Sequence, residues 1–158
     1  MKRLLTVFMW IFIGFQVLSA QQKGNLLSDK GYVGNVGASV SAGLGIGADL
    51  FTSHGYTFGN GLWLGGGTGL SFPSPYDLFL PLYSEAKYSF LVDKKVSPFL
   101  SAKVGLMTNF EDFLMIANPS VGLDLSRFSI FVTANLGLVS MRTYGLGVSW
   151  NFGNLSQY

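Results

Sequence analysis

The stretch Ser41–Leu50, SAGLGIGADL, contains a candidate phosphate-binding loop. Gly43, Gly45 and Ala48 match the pattern G-x-G-x-x-G/A, whose glycines approach a dinucleotide pyrophosphate when the loop joins a strand to a helix. No helix follows here, since residues 51–58 read as strand, and no acidic residue lies about 20 positions further on. We therefore interpret these glycines as the tip of a loop between two strands, and we expect no cofactor.

His54 is the second candidate for chemistry because it is the chain's only histidine. A general base of the usual kind would have to be this residue. Its neighbour Ser53 points to the opposite face of an extended strand, so the two cannot form a base–nucleophile pair. Without cysteine or a second histidine, a transition-metal site is not expected either. A structural role for His54 is the favoured interpretation.

The first twenty residues predict export. Lys2 and Arg3 precede an apolar run from Leu4 to Leu18, and small residues follow as far as Ala20. This is typical of a secretory signal peptide, which we expect to be cleaved after residue 20. The remainder then has eight cationic and eight acidic residues, so the basic balance of the whole chain does not indicate a nucleic-acid partner.

Beyond the signal peptide, apolar residues recur with a period of two, as in strands with one apolar face. In residues 128–139 one face is apolar and the other carries Ser129, Thr133 and Asn135. The second face of the other segments is likewise small or polar and has few charges. A soluble sandwich would place many charged residues there, whereas a closed barrel in lipid needs an apolar exterior and a small, polar interior.

The breaks in this pattern predict eight strands, at residues 32–41, 48–58, 62–72, 78–90, 96–107, 113–125, 128–139 and 144–152. Each is long enough to cross a membrane at a tilt. Tight turns at 59–61, 93–95 and 126–127 would lie at one end of the barrel and the other breaks at the opposite end. The predicted fold class is an all-β, eight-stranded antiparallel up-and-down transmembrane barrel. The predicted segments are a signal peptide (1–20), a periplasmic lead (21–30), the barrel (31–152) and a tail (153–158).

Four charged residues are predicted to face the barrel interior. Alternation places Glu85 and Lys87 on one face, with Lys103 and Asp124 on the same side of the next strands. Because an isolated charge in a narrow interior is costly, we expect a balanced network that holds the strands in register. A proton or ion path is the alternative, although eight strands leave an interior that side chains can fill.

Aromatic residues are predicted to form two belts at the membrane interfaces. The periplasmic belt centres on Tyr88, Phe90, Phe128, Trp150 and Phe152. Further aromatic residues are predicted to join the belts. At the periplasmic end they include Tyr56, Phe58, Trp63 and Phe99, and at the outer end they include Phe51, Phe72, Tyr83, Phe113 and Tyr144.

The segments GYVGNVGASVSAGLGIG, TSHGYTF, LWLGGGTGL and YGLGVSWNF resemble those of small eight-stranded outer-membrane barrels of the OmpX or OmpA-barrel kind, and more narrowly "outer membrane protein beta-barrel domain" proteins. The last segment is similar to the strand that the barrel assembly machinery reads. Trp150 and Phe152 would supply this signal, or Tyr158 would take the role of Phe152, since family members usually end at the aromatic residue.

The resemblance implies residence in the cell outer membrane, in contact with its lipid and lipopolysaccharide. The expected role is a non-enzymatic, structural or accessory one, and a protein partner in an envelope complex is one form of it. Barrel enzymes that acylate or deacylate lipid A use His and Ser with an acidic partner. A lipid-modifying enzyme that uses His54 is therefore the alternative function.

Overall fold

The computed structural model describes residues 26–43, 46–74, 77–137 and 142–153. The predicted signal peptide, the first half of the predicted lead (21–25), the tail beyond Gly153 and several loop tips lie outside the described residues. A short 3₁₀ helix at Leu26–Ser28 precedes the first strand. No helix in the described part of the chain is long and apolar enough to cross a membrane.

The predicted eight-stranded antiparallel barrel is confirmed. Each strand pairs with its neighbours in sequence, and β8 pairs with β1 to close the sheet. The predicted bounds differ from the observed ones by at most two residues; for example, Ile46 and Gly47 belong to a strand rather than to the loop tip. The strands are β1 Lys30–Ala42, β2 Ile46–Phe58, β3 Leu62–Ser74, β4 Asp77–Ser89, β5 Val96–Thr108, β6 Phe113–Leu125, β7 Phe128–Gly137 and β8 Arg142–Gly153.

The connections β2–β3 (59–61), β4–β5 (90–95) and β6–β7 (126–127) lie at one end of the barrel, which we call the turn end. Gly59 and Gly61 between β2 and β3 have φ of 77° and 86°, values that a residue with a side chain rarely adopts. Ser126 and Arg127 alone connect β6 to β7, and Ser126 also has a positive φ of 62°. The start of β1 and the end of β8 are at the turn end as well. The opposite end is called the loop end.

The register sets the tilt of the strands. Following paired residues once around the barrel leads from Ser41 back to Gly31 on the same strand, an offset of ten residues. An eight-stranded barrel with such a stagger has strongly tilted strands and an interior only wide enough for side chains. The path passes through Gly145, Thr133, Ser120, Ser101, Lys87, Trp63 and Thr57.

The distribution of polar and apolar side chains in the barrel is the inverse of that in a soluble protein. Among the described residues, 30 large apolar side chains are exposed on the surface, whereas 8 are buried. Thirteen polar or charged residues are buried, nearly all of them on the interior face of the strands. A soluble barrel would hide its apolar face and hydrate its polar one, so the exterior of this barrel is suited to an apolar surrounding.

Candidate functional site

A buried ion pair lies inside the barrel near the turn end. Lys87 Nζ is 2.6 Å from Asp124 Oδ1, and the side chain of Asp124 is 1% exposed. Ser129 donates to the same oxygen at 2.6 Å, and Ser89 donates to Oδ2 at 2.8 Å. Asn151 Nδ2 in turn donates to Ser129 Oγ at 2.8 Å. Three donors to one carboxylate offset the loss of its hydration, so the charge is well accommodated in the interior.

The second pair of predicted interior charges lies further from the turn end. Glu85 and Lys103 are directly paired across β4 and β5, with Nζ 4.0 Å from Oε2. Ser53 donates to the same Glu85 oxygen at 2.8 Å and also contacts the Tyr83 hydroxyl at 3.0 Å. The four predicted residues therefore all face the interior, but they form two separate pairs.

A cluster of Phe51, Phe99 and Phe131, the aromatic cluster, connects the two ion pairs. Lys87 Nζ lies 4.0 Å from the centre of the Phe99 ring, and Lys103 Nζ lies 3.8 Å from that of Phe51. A cation over an aromatic face gains electrostatic attraction, particularly where water is excluded. The aromatic cluster thus fills the interior and also solvates both ammonium groups.

The belt prediction was wrong for four aromatic residues. Phe51, Trp63, Tyr83 and Phe99 are each no more than 9% exposed and lie inside the barrel. All four occupy odd positions of β2 to β5, on the same faces as Ser53, Glu85 and Lys103. Their location near the strand ends suggested a belt. Alternation along each strand, however, places odd-numbered residues of β2 to β5 on the face that points into the barrel.

Glycines make room for these rings. A Cβ on Gly147 would lie within 3.0 Å of three atoms of the Phe131 ring, and one on Gly122 would lie 2.8 Å from the Phe99 ring. Gly67 is covered by Tyr83, whose hydroxyl would be 2.7 Å from an added Cβ. Large aromatic rings on one strand therefore face glycines on the neighbouring strand, and this packing leaves little free interior volume.

The 3₁₀ helix packs against the turn end of the interior. Leu27 is 4% exposed and packs with Val33 and Trp63. Thr57 Oγ1 donates to the Leu27 carbonyl at 3.3 Å, and Trp63 Nε1 donates to the Val33 carbonyl at 3.0 Å. A cavity of about 10 Å³ remains beside these residues, bordered also by Asn35, Lys87, Asp124 and Asn151.

Asp49 is an interior charge that sequence reasoning missed. Its carboxylate accepts hydrogen bonds from Ser39 at 2.9 Å and from Ser71 at 2.5 Å. Both serines are its register partners on β1 and β3. Asp49 shares an odd-numbered face with Ser53, so alternation along β2 could have identified it.

His54 lies on the exterior and is held in a chain of hydrogen bonds. Thr52 Oγ1 donates to the Asn35 carbonyl at 3.0 Å, so the contact of 3.0 Å between Thr52 Oγ1 and His54 Nε2 requires the ring to donate. Nδ1 then accepts from the Tyr32 hydroxyl at 2.5 Å. Phe152 packs edge-on against the ring. Both ring nitrogens are thereby occupied, and neither is directed at a carboxylate or a serine in the described part of the chain.

The five residues of the predicted periplasmic belt lie on the outer face near the turn end. Tyr88 packs edge-on with Phe90, with 5.1 Å between the ring centroids, and the ring centroids of Trp150 and Phe152 are 5.5 Å apart. Phe128 is the register partner of Trp150. Phe152 covers Gly34 of β1, on the seam that closes the barrel. Tyr158, the alternative assembly signal, lies outside the described residues.

No family model matches the chain, and no curated protein sequence matches it. Solved structures do resemble it. The N-terminal β-barrel domain of Pseudomonas aeruginosa OprF has a TM-score of 0.55 at 19% identity, covering 78% of this chain and 99% of that one. Neisserial surface protein A (NspA) has a TM-score of 0.60 at 16% identity, covering 78% and 96%. A de novo designed transmembrane β-barrel has a TM-score of 0.52 at 15% identity, covering 77% and 95%.

These similarities show the fold: a closed eight-stranded barrel like those of OprF, NspA and designed transmembrane barrels. The narrower resemblance to "outer membrane protein beta-barrel domain" proteins stays a prediction. Among the described residues, no group of three or more His, Cys, Asp or Glu side chains could hold a metal ion.

Proposed function

We propose that this protein is a non-enzymatic, integral outer-membrane β-barrel with a structural or accessory role in the cell envelope. The observation that carries the proposal is the inverted distribution of polarity. Ion pairs and serines fill the interior, and exposed Leu, Val and aromatic side chains cover the exterior. Closed barrels satisfy all backbone hydrogen bonds within the sheet, so this exterior is stable in hydrocarbon and costly in water.

The proposed orientation places the turn end in the periplasm. This orientation rests on the chain ends: the start of β1 and the end of β8 are both at the turn end, the side from which an exported chain reaches the outer membrane. The belt of Tyr88, Phe90, Phe128, Trp150 and Phe152 would then lie at the periplasmic interface, where amphipathic rings are favoured. We also propose that outer-membrane lipid and lipopolysaccharide surround the wall, and that the barrel assembly machinery reads β8 through Trp150 and Phe152.

Neighbouring residues on β7 provide the test of membrane insertion. Val132 is 47% exposed on the outer face, whereas Thr133 is 7% exposed in the interior. We expect Val132→Arg to destabilise the folded barrel in lipid vesicles by about 2–4 kcal/mol, because it places a charge in hydrocarbon. Thr133→Ser keeps the hydroxyl that bonds the Pro119 carbonyl and is the matched control. Folding titrations in vesicles measure both, and a loss of stability for Val132→Arg no greater than that for Thr133→Ser would refute the orientation of the wall.

The non-enzymatic assignment is supported by the surroundings of His54. An acyl-transfer base needs a ring nitrogen that accepts the proton of a nucleophile, but Nε2 donates to Thr52, whose own proton goes to the Asn35 carbonyl, and Nδ1 accepts from the Tyr32 hydroxyl. We expect His54→Ala to leave the lipid A composition of the host membrane unchanged. Mass spectrometry of lipid from a deletion strain, complemented with either form, measures this. A lipid species made by the wild type and lost with His54→Ala would instead establish the lipid-modifying function.

A further inference from the structure

Among the described residues, the middle of the outer wall is polar in one region, on β2 to β4. Thr52 and Thr68 are each the seventh of thirteen residues in β2 and β3, and Ser84 is the eighth of thirteen in β4. Thr68 and Ser84 are exposed, and Thr52 is half-exposed. Gly66 lies beside them as the register partner of Ser84. These four residues are called the hydroxyl patch.

The remaining mid-strand positions on the exterior are apolar. They include Leu100 and Val104 on β5, Val121 on β6, Val132 on β7, Val148 on β8 and Val36 on β1, all of which are at least 47% exposed. The hydroxyl patch is therefore a local feature of β2 to β4 and does not reflect general polarity of the wall. In the proposed membrane it would lie near the bilayer midplane, where lipid chains offer no hydrogen-bond partner.

The hydrogen bonds of the hydroxyl patch leave one donor and one acceptor on neighbouring strands. Thr68 Oγ1 gives its proton to the Pro81 carbonyl at 2.8 Å, so its oxygen can still accept. The Ser84 hydroxyl makes no hydrogen bond within the residues that the structure describes, so it can still donate. Thr52 is satisfied by the Asn35 carbonyl and His54.

We infer that the hydroxyl patch is the contact surface for a second copy of this chain in the membrane. This inference rests on the proposed membrane insertion. A two-fold axis parallel to the barrel axis and passing between β3 and β4 sets β3 of each copy against β4 of the other. It matches the Ser84 donor of one copy with the Thr68 acceptor of the other, twice over. Gly66 has no side chain, so the two walls can approach closely, as small residues permit in membrane interfaces. The donor and the acceptor are both supplied by this patch, which makes it complementary to itself.

Disulfide formation tests the inference, because the chain contains no cysteine. Leu82 is 70% exposed, lies directly opposite Thr68 and can be replaced without removing any hydroxyl. We expect Leu82→Cys in vesicles to form a disulfide-linked dimer on mild oxidation, whereas Val132→Cys on the distant wall stays monomeric. Adding Ser84→Ala to Leu82→Cys should lower the dimer yield several-fold.

Folding is checked first, by protease protection and by heat-dependent gel mobility. If the folded, inserted Leu82→Cys and Val132→Cys variants give equal dimer yields, the inference is overturned and the proposed function is left intact. A yield unaffected by Ser84→Ala, or cross-linking in native membranes only to an unlike protein, also overturns it. Failure of the wild type to insert would overturn the proposed function itself.

Discussion

At the scale of single residues, Asp124 has the contacts that a charge in a barrel interior requires. Lys87 supplies the opposite charge, and two serine hydroxyls donate to the remaining lone pairs. Glu85 has a longer ion pair with Lys103, at 4.0 Å, and a serine donor. The closer geometry and greater burial make the Lys87–Asp124 pair the more sensitive of the two to loss of a partner.

This difference leads to a prediction for Lys87. We expect Lys87→Met to destabilise the barrel by about 3–5 kcal/mol, because it leaves a buried carboxylate without its cation. The double variant Lys87→Met/Asp124→Asn should lose less than the sum of the single variants, since the amide is uncharged. Lys95→Met, in the exposed turn between β4 and β5, is the control and should change stability by about 0.5 kcal/mol at most. Urea unfolding in vesicles measures the free energies, and additive losses would contradict the coupling.

At the scale of elements, the sequence predicted the strands well because a half-buried strand has a strict period of two. Alternation in 113–125 and 128–139 follows from the requirement that one face contact hydrocarbon and the other the interior, and a slip of one residue would exchange the faces. Strand ends were predicted by glycine and by short polar runs, whose chemistry is local. Both kinds of signal depend only on residues within about a dozen positions of each other, so they can be recognised in a single sequence without knowledge of the fold.

The pairing inside the barrel could not be predicted in the same way. Lys87 is on β4 and Asp124 on β6, so their contact depends on the stagger of the whole sheet, which no local pattern gives. The placement of Trp63 and Phe99 failed for a different reason. Aromatic residues near strand ends favour interfaces in general, but in this barrel nearby glycines create space for them inside. The cost of a Cβ at those glycines is visible only once neighbouring strands are in register.

At the scale of the whole molecule, the interior is filled from the turn end to its middle. Leu27 and Trp63 pack at the turn end, the Lys87–Asp124 pair follows, and the aromatic cluster extends to Lys103 and Glu85. The cavity of about 10 Å³ near the turn end is close to the smallest that holds one water molecule. An ion crossing the barrel would have to displace these packed side chains, so the barrel interior does not form an open pore.

We therefore expect the inserted barrel to be electrically silent. A conducting pore needs a continuous hydrated path, and packed rings over two ammonium groups interrupt any such path. Planar-bilayer recordings should show no single-channel steps from protein whose insertion has been verified by protease protection, and a known pore added afterwards controls for the sensitivity of the recording. Steps whose number rises with the amount of folded protein, and which are absent with heat-unfolded protein, would contradict the filled interior. They would instead establish the ion path that the interior charges first suggested.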